Sequence, residues 1–173
     1  MLSKEELVDL LTTNVEEFND KIKDNPADLS ETDFSNLNIE GAIFDNIDLT
    51  SSSFADSQLT EVRFAGCDLT SVDFTRATLT ECNFNESILN GTDFSYSNTH
   101  YCGFSDADMA GAILLEADLS NSDFSMSENL NACRFDDTTI WPDSEYLPEG
   151  FDSSYSDDLS SLKDDDDYNV SDY

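Results

Sequence analysis

The sequence predicts an all-β solenoid, a quadrilateral β-helix of about six coils that is closed at its start by an α-helical cap. Three observations predict it. A large apolar residue recurs at every fifth position, a column of mostly small residues runs two positions ahead of it, and the positions between are dominated by Asp, Asn, Ser, Thr, Glu and Gly.

The fivefold register is the first of these. It runs Leu29, Phe34, Ile39, Phe44, Leu49, Phe54, Leu59, Phe64, Leu69 and Phe74, then Leu79, Phe84, Leu89, Phe94, Thr99, Phe104, Met109, Leu114, Leu119 and Phe124. Nineteen of these twenty positions are apolar, and Thr99 is the exception. With a hydrophobic content of 38%, chance would place residues so about once in ten million trials. After a one-residue slip the register resumes at Leu130, Phe135 and Ile140. The small column includes Ala27, Ala42, Ala77, Ala107, Ala112 and Ala117, and it takes in all four cysteines, Cys67, Cys82, Cys102 and Cys133.

Neither the helical period of 3.6 nor the strand period of 2 fits this spacing. One large and one small inward residue per repeat of five requires a chain that turns a corner each time. Four corners close a square coil, and the backbone then bonds between coils about 4.8 Å apart. Folded this way, Phe44, Phe64, Phe84, Phe104 and Phe124 stack on one face. Phe34, Phe54, Phe74, Phe94, Leu114 and Phe135 stack on the opposite one. Leu29, Leu49, Leu69, Leu89, Met109 and Leu130 form the third stack, and Ile39, Leu59, Leu79, Thr99, Leu119 and Ile140 the fourth. Cys82 and Cys102 become vertical neighbours. The cysteine spacings match no zinc motif, so buried reduced thiols are expected.

The segments Ala27-Asp28-Leu29, Cys67-Asp68-Leu69, Ala107-Asp108-Met109 and Ala117-Asp118-Leu119 resemble the pentapeptide-repeat family, whose motif is a small residue, Asp or Asn, Leu or Phe, and two variable positions. The resemblance covers Ala27 to about Ile140 and implies a right-handed coil.

The ends divide from the repeat. Residues 1–26 read as the N-terminal helical cap: Ser3-Lys4-Glu5-Glu6 is a capping box, and Leu7, Leu10, Leu11, Val15, Phe18 and Ile22 mark one helical face. Thr13-Asn14-Val15-Glu16 suggests a second box and hence two short helices, and Asn25-Pro26 stops the run. The β-helix is assigned to 27–141, a Pro-rich, aromatic C-terminal cap to 142–151, and an acidic tail to 152–173, whose composition predicts disorder.

Charge restricts the function. Thirty-nine acidic residues face seven basic ones, for a formal net charge of -32. Such a surface repels nucleic acid and anionic lipid and favours a basic protein surface. The opening residues lack the basic and apolar regions of a secretory signal, and no apolar run is long enough to span a membrane, so a cytoplasmic protein is expected. A single histidine, His100, is the only imidazole for a catalytic triad or metal site, and it is read as an outward residue at a locally irregular corner beside Thr99. With no phosphate loop and no basic patch, the expectation is a binding protein without cofactor, metal or catalysis.

Residues 27–142 hold 21 acidic and 3 basic residues, a net -18. At about 4.8 Å per coil the rod is roughly 28 Å long. Duplex DNA carries about 16 charges over that length. The resemblance adds that family members associated with quinolone resistance occupy the DNA-binding saddle of type II topoisomerase by resembling duplex. The candidate partner-binding residues are therefore one acidic column, Asp28, Asp48, Asp68 and Asp108, and a neighbouring one, Asp33, Asp73 and Asp93. Two departures from those members stand out: the register carries no projecting loop, and the acidic C-terminus opposes close pairing of two chains. The alternative is an interaction scaffold whose acidity serves solubility or a saline environment, with Tyr96, Ile113 and Leu115 as an apolar contact patch.

Overall fold

The computed structural model describes residues 2–24 and 27–154. Asn25-Pro26, the expected helix stop, and residues 155–173 of the acidic tail, for which disorder is expected, lie outside them. Two helices, α1 (Lys4–Thr13) and α2 (Val15–Asp24), precede the repeat. The repeat contributes β1 (Asn38–Glu40), β2 (Gln58–Thr60), β3 (Thr78–Thr80) and β4 (Asn98–His100), which form one parallel sheet in chain order. Each strand residue pairs with the one twenty positions on, as in Ile39 with Leu59 and Leu79 with Thr99. The other faces are joined by single parallel bridges in the same register, such as Asp48 to Asp68 and Asp73 to Asp93.

Corners arise from a left-handed residue two places after each central apolar one. From Glu31 to Glu116 every fifth residue has φ between 53° and 70°, yet only Gly41, Gly66, Gly91 and Gly111 among them are glycines. At Phe44 the Ile47 N–H closes the turn on the Phe44 carbonyl at 2.9 Å, with Asn46 at φ 61°. This is a type II turn, which demands positive φ at that position. A non-glycine residue there costs about 1–2 kcal/mol. Hydrogen bonds between coils at nearly every repeat hold the strained corners in place, for example Phe54 N–H to the Asp73 carbonyl at 2.7 Å.

The interior follows the predicted stacks. Phe34, Phe54, Phe74 and Phe94 lie face to face with centroids 4.6–5.1 Å apart. Phe44, Phe64, Phe84, Phe104 and Phe124 do the same at 4.3–5.3 Å. The two stacks meet edge-on across the core at 5.4–6.1 Å. Offset stacking and edge contact are the two favoured aromatic arrangements, and this core uses both.

The small column has a second role beyond fitting the narrow interior. Its Cys67, Cys82, Cys102 and Cys133 thiols donate to the carbonyls of Phe44, Leu59, Leu79 and Met109 in the preceding coil. Thr92 donates to Leu69 in the same way, at 2.7 Å. All four cysteines are buried and free, and burial pushes the Cys67 and Cys133 thiols up to about 12.

Three expectations are corrected. Thr99 does not mark an irregular corner: it is fully buried in the regular strand β4, with the Ser122 hydroxyl 3.0 Å from both its carbonyl and its hydroxyl oxygen. Two polar inward residues in adjacent coils satisfy each other, so the register survives. The second helix is capped one residue later than expected, by Asn14, whose Oδ1 accepts from the Glu17 N–H at 3.3 Å. Ile140 does not enter the fourth stack and is 53% exposed. Pairing runs Asp108 to Glu128, Ile113 to Arg134 and Asp118 to Ile140, a spacing that grows from 20 to 21 to 22 residues. The first extra residue is the left-handed Asn129 ahead of a 3-10 turn (Leu130–Ala132). The second sits in the turn at Asp136, whose Oδ1 accepts from the Thr138 and Thr139 N–H groups. Thr139 is thereby buried, and Trp141 takes the inward place.

Both ends of the stack are covered. Phe18 of α2 packs edge-on against Phe44 at 5.2 Å. Asn19 pairs with the first coil's backbone, donating to the Gly41 carbonyl and accepting from the Ile43 N–H. At the far end Trp141 meets Phe135 at 5.1 Å and Phe151 at 4.9 Å. A short 3-10 turn (Ser144–Tyr146) follows, and the Tyr146 carbonyl accepts from the Phe124 N–H.

Candidate protein-binding surface

The acidic columns are built by the residue just before each central apolar one. Asp48, Asp68, Ile88, Asp108 and Glu128 bridge in succession, and Leu29 donates to the Asp48 carbonyl, which places Asp28 at the foot of that column. The neighbouring column runs Asp33, Ser53, Asp73, Asp93, Ile113 and Arg134. The structure thus brings each predicted set onto one face, with Ile88 interrupting the first column and Ser53 the second.

Every one of these aspartates is also part of the corner it precedes. Its Oδ1 accepts the backbone N–H two residues on, at 2.9 Å for Asp28, Asp33 and Asp48, 3.0 Å for Asp68, 2.8 Å for Asp73 and Asp93, and 3.2 Å for Asp108. Asn83 makes the same contact at 2.8 Å, so the contact needs an acceptor and not a charge. With Oδ1 engaged, Oδ2 of Asp48, Asp68, Asp73 and Asp93 has no protein donor among the described residues. Hydrogen bonds from Ser30 hold the Asp28 carboxyl below the usual range, and those from Ser35 do so for Asp33.

A second set of carboxylates escaped the sequence reading. Glu31, Asp56, Glu61, Glu81, Glu86, Asp106 and Glu116 occupy the left-handed corner position and are exposed. Glu61 and Glu81 lie above one another on one edge of the rod, since Glu61 donates to Thr80 and Glu81 to His100 in register. Glu86 and Asp106 do so on the next edge. That position is variable in the repeat, and only tabulating charge by register would have revealed it. Little positive charge offsets these groups: Arg76 pairs bidentately with Asp56 at 2.7 and 2.6 Å, and Arg63 pairs with Asp45.

The predicted apolar patch is gathered in part. The Tyr96 N–H donates to the Leu115 carbonyl at 2.9 Å, which places Tyr96 one coil below Leu115. Tyr96 is exposed, whereas Ile113 and Leu115 are half-buried. Among the described residues no group of three or more His, Cys, Asp or Glu is arranged to hold a metal ion, and no helix is long and apolar enough to cross a membrane.

Family comparison accounts for this architecture. The profile of the pentapeptide repeat region matches residues 25–94, and that of pentapeptide repeats matches 87–125 and 102–139. The chain belongs to the pentapeptide repeat family. Among solved structures, it is similar to the pentapeptide repeat protein Rfr23 of the cyanobacterium Cyanothece 51142, at 19% identity over 71% of this chain and 97% of that one, with a TM-score of 0.49. It is also similar to a pentapeptide repeat protein of the Arabidopsis thaliana thylakoid lumen, at 30% identity over 65% and 68% of the two chains and a TM-score of 0.36. A third is QnrB1, a plasmid-mediated fluoroquinolone resistance protein, at 14% identity over 64% and 79% and a TM-score of 0.25. No curated protein matches the chain.

Proposed function

We propose that the chain is a non-catalytic cytoplasmic binding protein: a right-handed, acidic rod of about six coils that occupies a basic nucleic-acid-binding site, such as that of a type II topoisomerase, in place of duplex DNA. The observation that carries this reading is the pair of aspartate columns. Asp48, Asp68, Asp73 and Asp93 each accept one backbone hydrogen bond through Oδ1 and leave Oδ2 without a protein donor among the described residues. Fixed anions on a rigid rod resemble a phosphate backbone more closely than mobile side chains do, because less side-chain ordering entropy is lost when the partner docks. The rod's net -18 over residues 27–142 matches the charge of a duplex segment of similar length, and the exposed corner carboxylates add to it at the edges. DNA supercoiling by a type II topoisomerase at moderate salt tests the proposal. Inhibition at micromolar protein is expected, and its absence would overturn the reading.

A further inference from the structure

One face of the rod differs from the others. It is the column Ile43, Arg63, Asn83, Gly103 and Asp123, which bridge from coil to coil in that order. Between Ala27 and Ile140, Gly103 is the only glycine directly before a central apolar residue. Its backbone lies outside the left-handed region, so the turn does not require glycine there. A Cβ would approach Asn85 Oδ1 at 3.1 Å, where Asn85 accepts the Ser105 N–H. Gly103 lines an open groove of about 480 Å³ and presents only backbone to it.

The walls of this groove are aromatic and its rim is anionic. Tyr101 and Tyr146 line it, 68% and 43% exposed, together with Asp123, Asp143 and Glu145. Tyr101 occupies a left-handed corner at φ 57°, a costly place for a ring that packs on no core. None of the three salt bridges among the described residues involves Asp123, Asp143 or Glu145. The groove therefore combines ring faces that attract cations with carboxylates that lack a cation.

We infer that this groove receives an arginine side chain of a basic partner protein. A guanidinium is planar, stacks on aromatic faces and pairs with carboxylates through two parallel hydrogen bonds, which an ammonium cannot do. Acidic or phosphate-bearing occupants are repelled. A second copy of this chain, with 7 Lys and Arg against 39 acidic residues, supplies few candidates. The inference rests on the partner being basic, as in the proposed function, and does not require that partner to bind DNA.

The test titrates the full chain with the peptide acetyl-Gly-Arg-Gly-amide, with the Lys and Glu peptides as controls, while backbone amide shifts are followed by NMR. Saturable shifts confined to Tyr101, Gly103, Asp123, Glu145 and Tyr146 are expected, with Arg binding more tightly than Lys and no effect of the Glu peptide. The double variant Tyr101→Ser/Tyr146→Ser should weaken Arg-peptide binding about tenfold or more. The pair Asp143→Asn/Glu145→Gln should do the same without touching the rings, and serves if the first variant unfolds. Glu5→Gln/Glu16→Gln, in the helices at the opposite end of the rod, should leave binding unchanged. Shifts spread along the aspartate columns, equal affinity for Lys and Arg, or insensitivity to both groove variants would each overturn the inference. Groove binding without displacement of DNA from a topoisomerase would remove the mimicry reading alone, whereas displacement that needs neither tyrosine nor local shifts would remove the groove alone.

Discussion

Replacing Phe84 by Ala removes a ring enclosed by four others near the middle of the rod. Phe84 is fully buried, stacked between Phe64 at 5.0 Å and Phe104 at 4.9 Å, and met edge-on by Phe74 at 5.7 Å and Phe94 at 5.8 Å. A buried Phe→Ala change costs about 3–5 kcal/mol in transfer and cavity terms. Four ring contacts, each worth about 0.5–1.5 kcal/mol beyond area burial, place this site at the upper end. The coils above and below are held apart by their own backbone ladders, so the cavity cannot collapse. Phe34 provides the comparison, since it has only Phe54 at 4.6 Å and Phe44 at 5.8 Å. Phe34→Ala should therefore cost about 3 kcal/mol. Urea unfolding followed by far-UV circular dichroism, with Trp141 fluorescence reporting the C-terminal end, measures both. A solenoid coil contacts only its neighbours, so Phe84→Ala should also separate the two signals into distinct transitions. A cost below about 1 kcal/mol for Phe84→Ala, or a larger cost for Phe34→Ala, would refute the stacked-core account.

Three further outcomes follow from the same geometry. Asp73→Ala should lower stability by about 1 kcal/mol through loss of the Thr75 N–H contact, whereas Asp73→Asn should be nearly neutral, and paired thermal melts decide it. The Asp28 and Asp33 carboxyls are held below their usual range by hydrogen bonds from Ser30 and Ser35, so their contribution is present above the ordinary carboxylate pKa and is lost as pH falls below it. Opposing this, a net charge of -32 makes self-repulsion relax under mild acid or added salt, so the melting temperature should rise with salt at pH 7 and fall only in stronger acid. Cys67 and Cys133, raised by burial to about 12, should resist alkylation at pH 8 until the chain unfolds, and stability should decline as pH climbs from about 9 toward that value. Mass spectrometry after iodoacetamide treatment, with and without denaturant, reads the labelling.

Much of the fold was legible because the repeat states its geometry directly. The alternation of Phe with aliphatic residues every five positions placed both ring stacks and their opposition before any coordinates. What the sequence hid was local compensation. Thr99 looked like a fault because its partner, Ser122, lies 23 residues away and only the coil brings them together. Ile140 looked inward because an extra residue in the turn at Asp136 is invisible to a count by fives. The candidate columns were read correctly as faces, but their hydrogen bonds to the corners were not, since an Asx contact depends on backbone conformation two residues ahead. The groove at Gly103 was also hidden, because Tyr146 reaches it from a segment outside the repeat.

Those corner contacts supply the cleanest test of the central claim. Because Asn83 already makes the turn contact, Asp→Asn substitution removes charge while preserving the corner. The variant Asp48→Asn/Asp68→Asn/Asp73→Asn/Asp93→Asn should therefore keep the fold, as judged by an unchanged circular dichroism spectrum. The decisive measurement is the anisotropy of a labelled DNA duplex bound to a type II topoisomerase, titrated with the native chain and with this variant. Native protein should displace the duplex at micromolar concentration, and the variant should require about tenfold more or worse. Failure of the native chain to displace DNA, or equal displacement by the variant, would contradict the account.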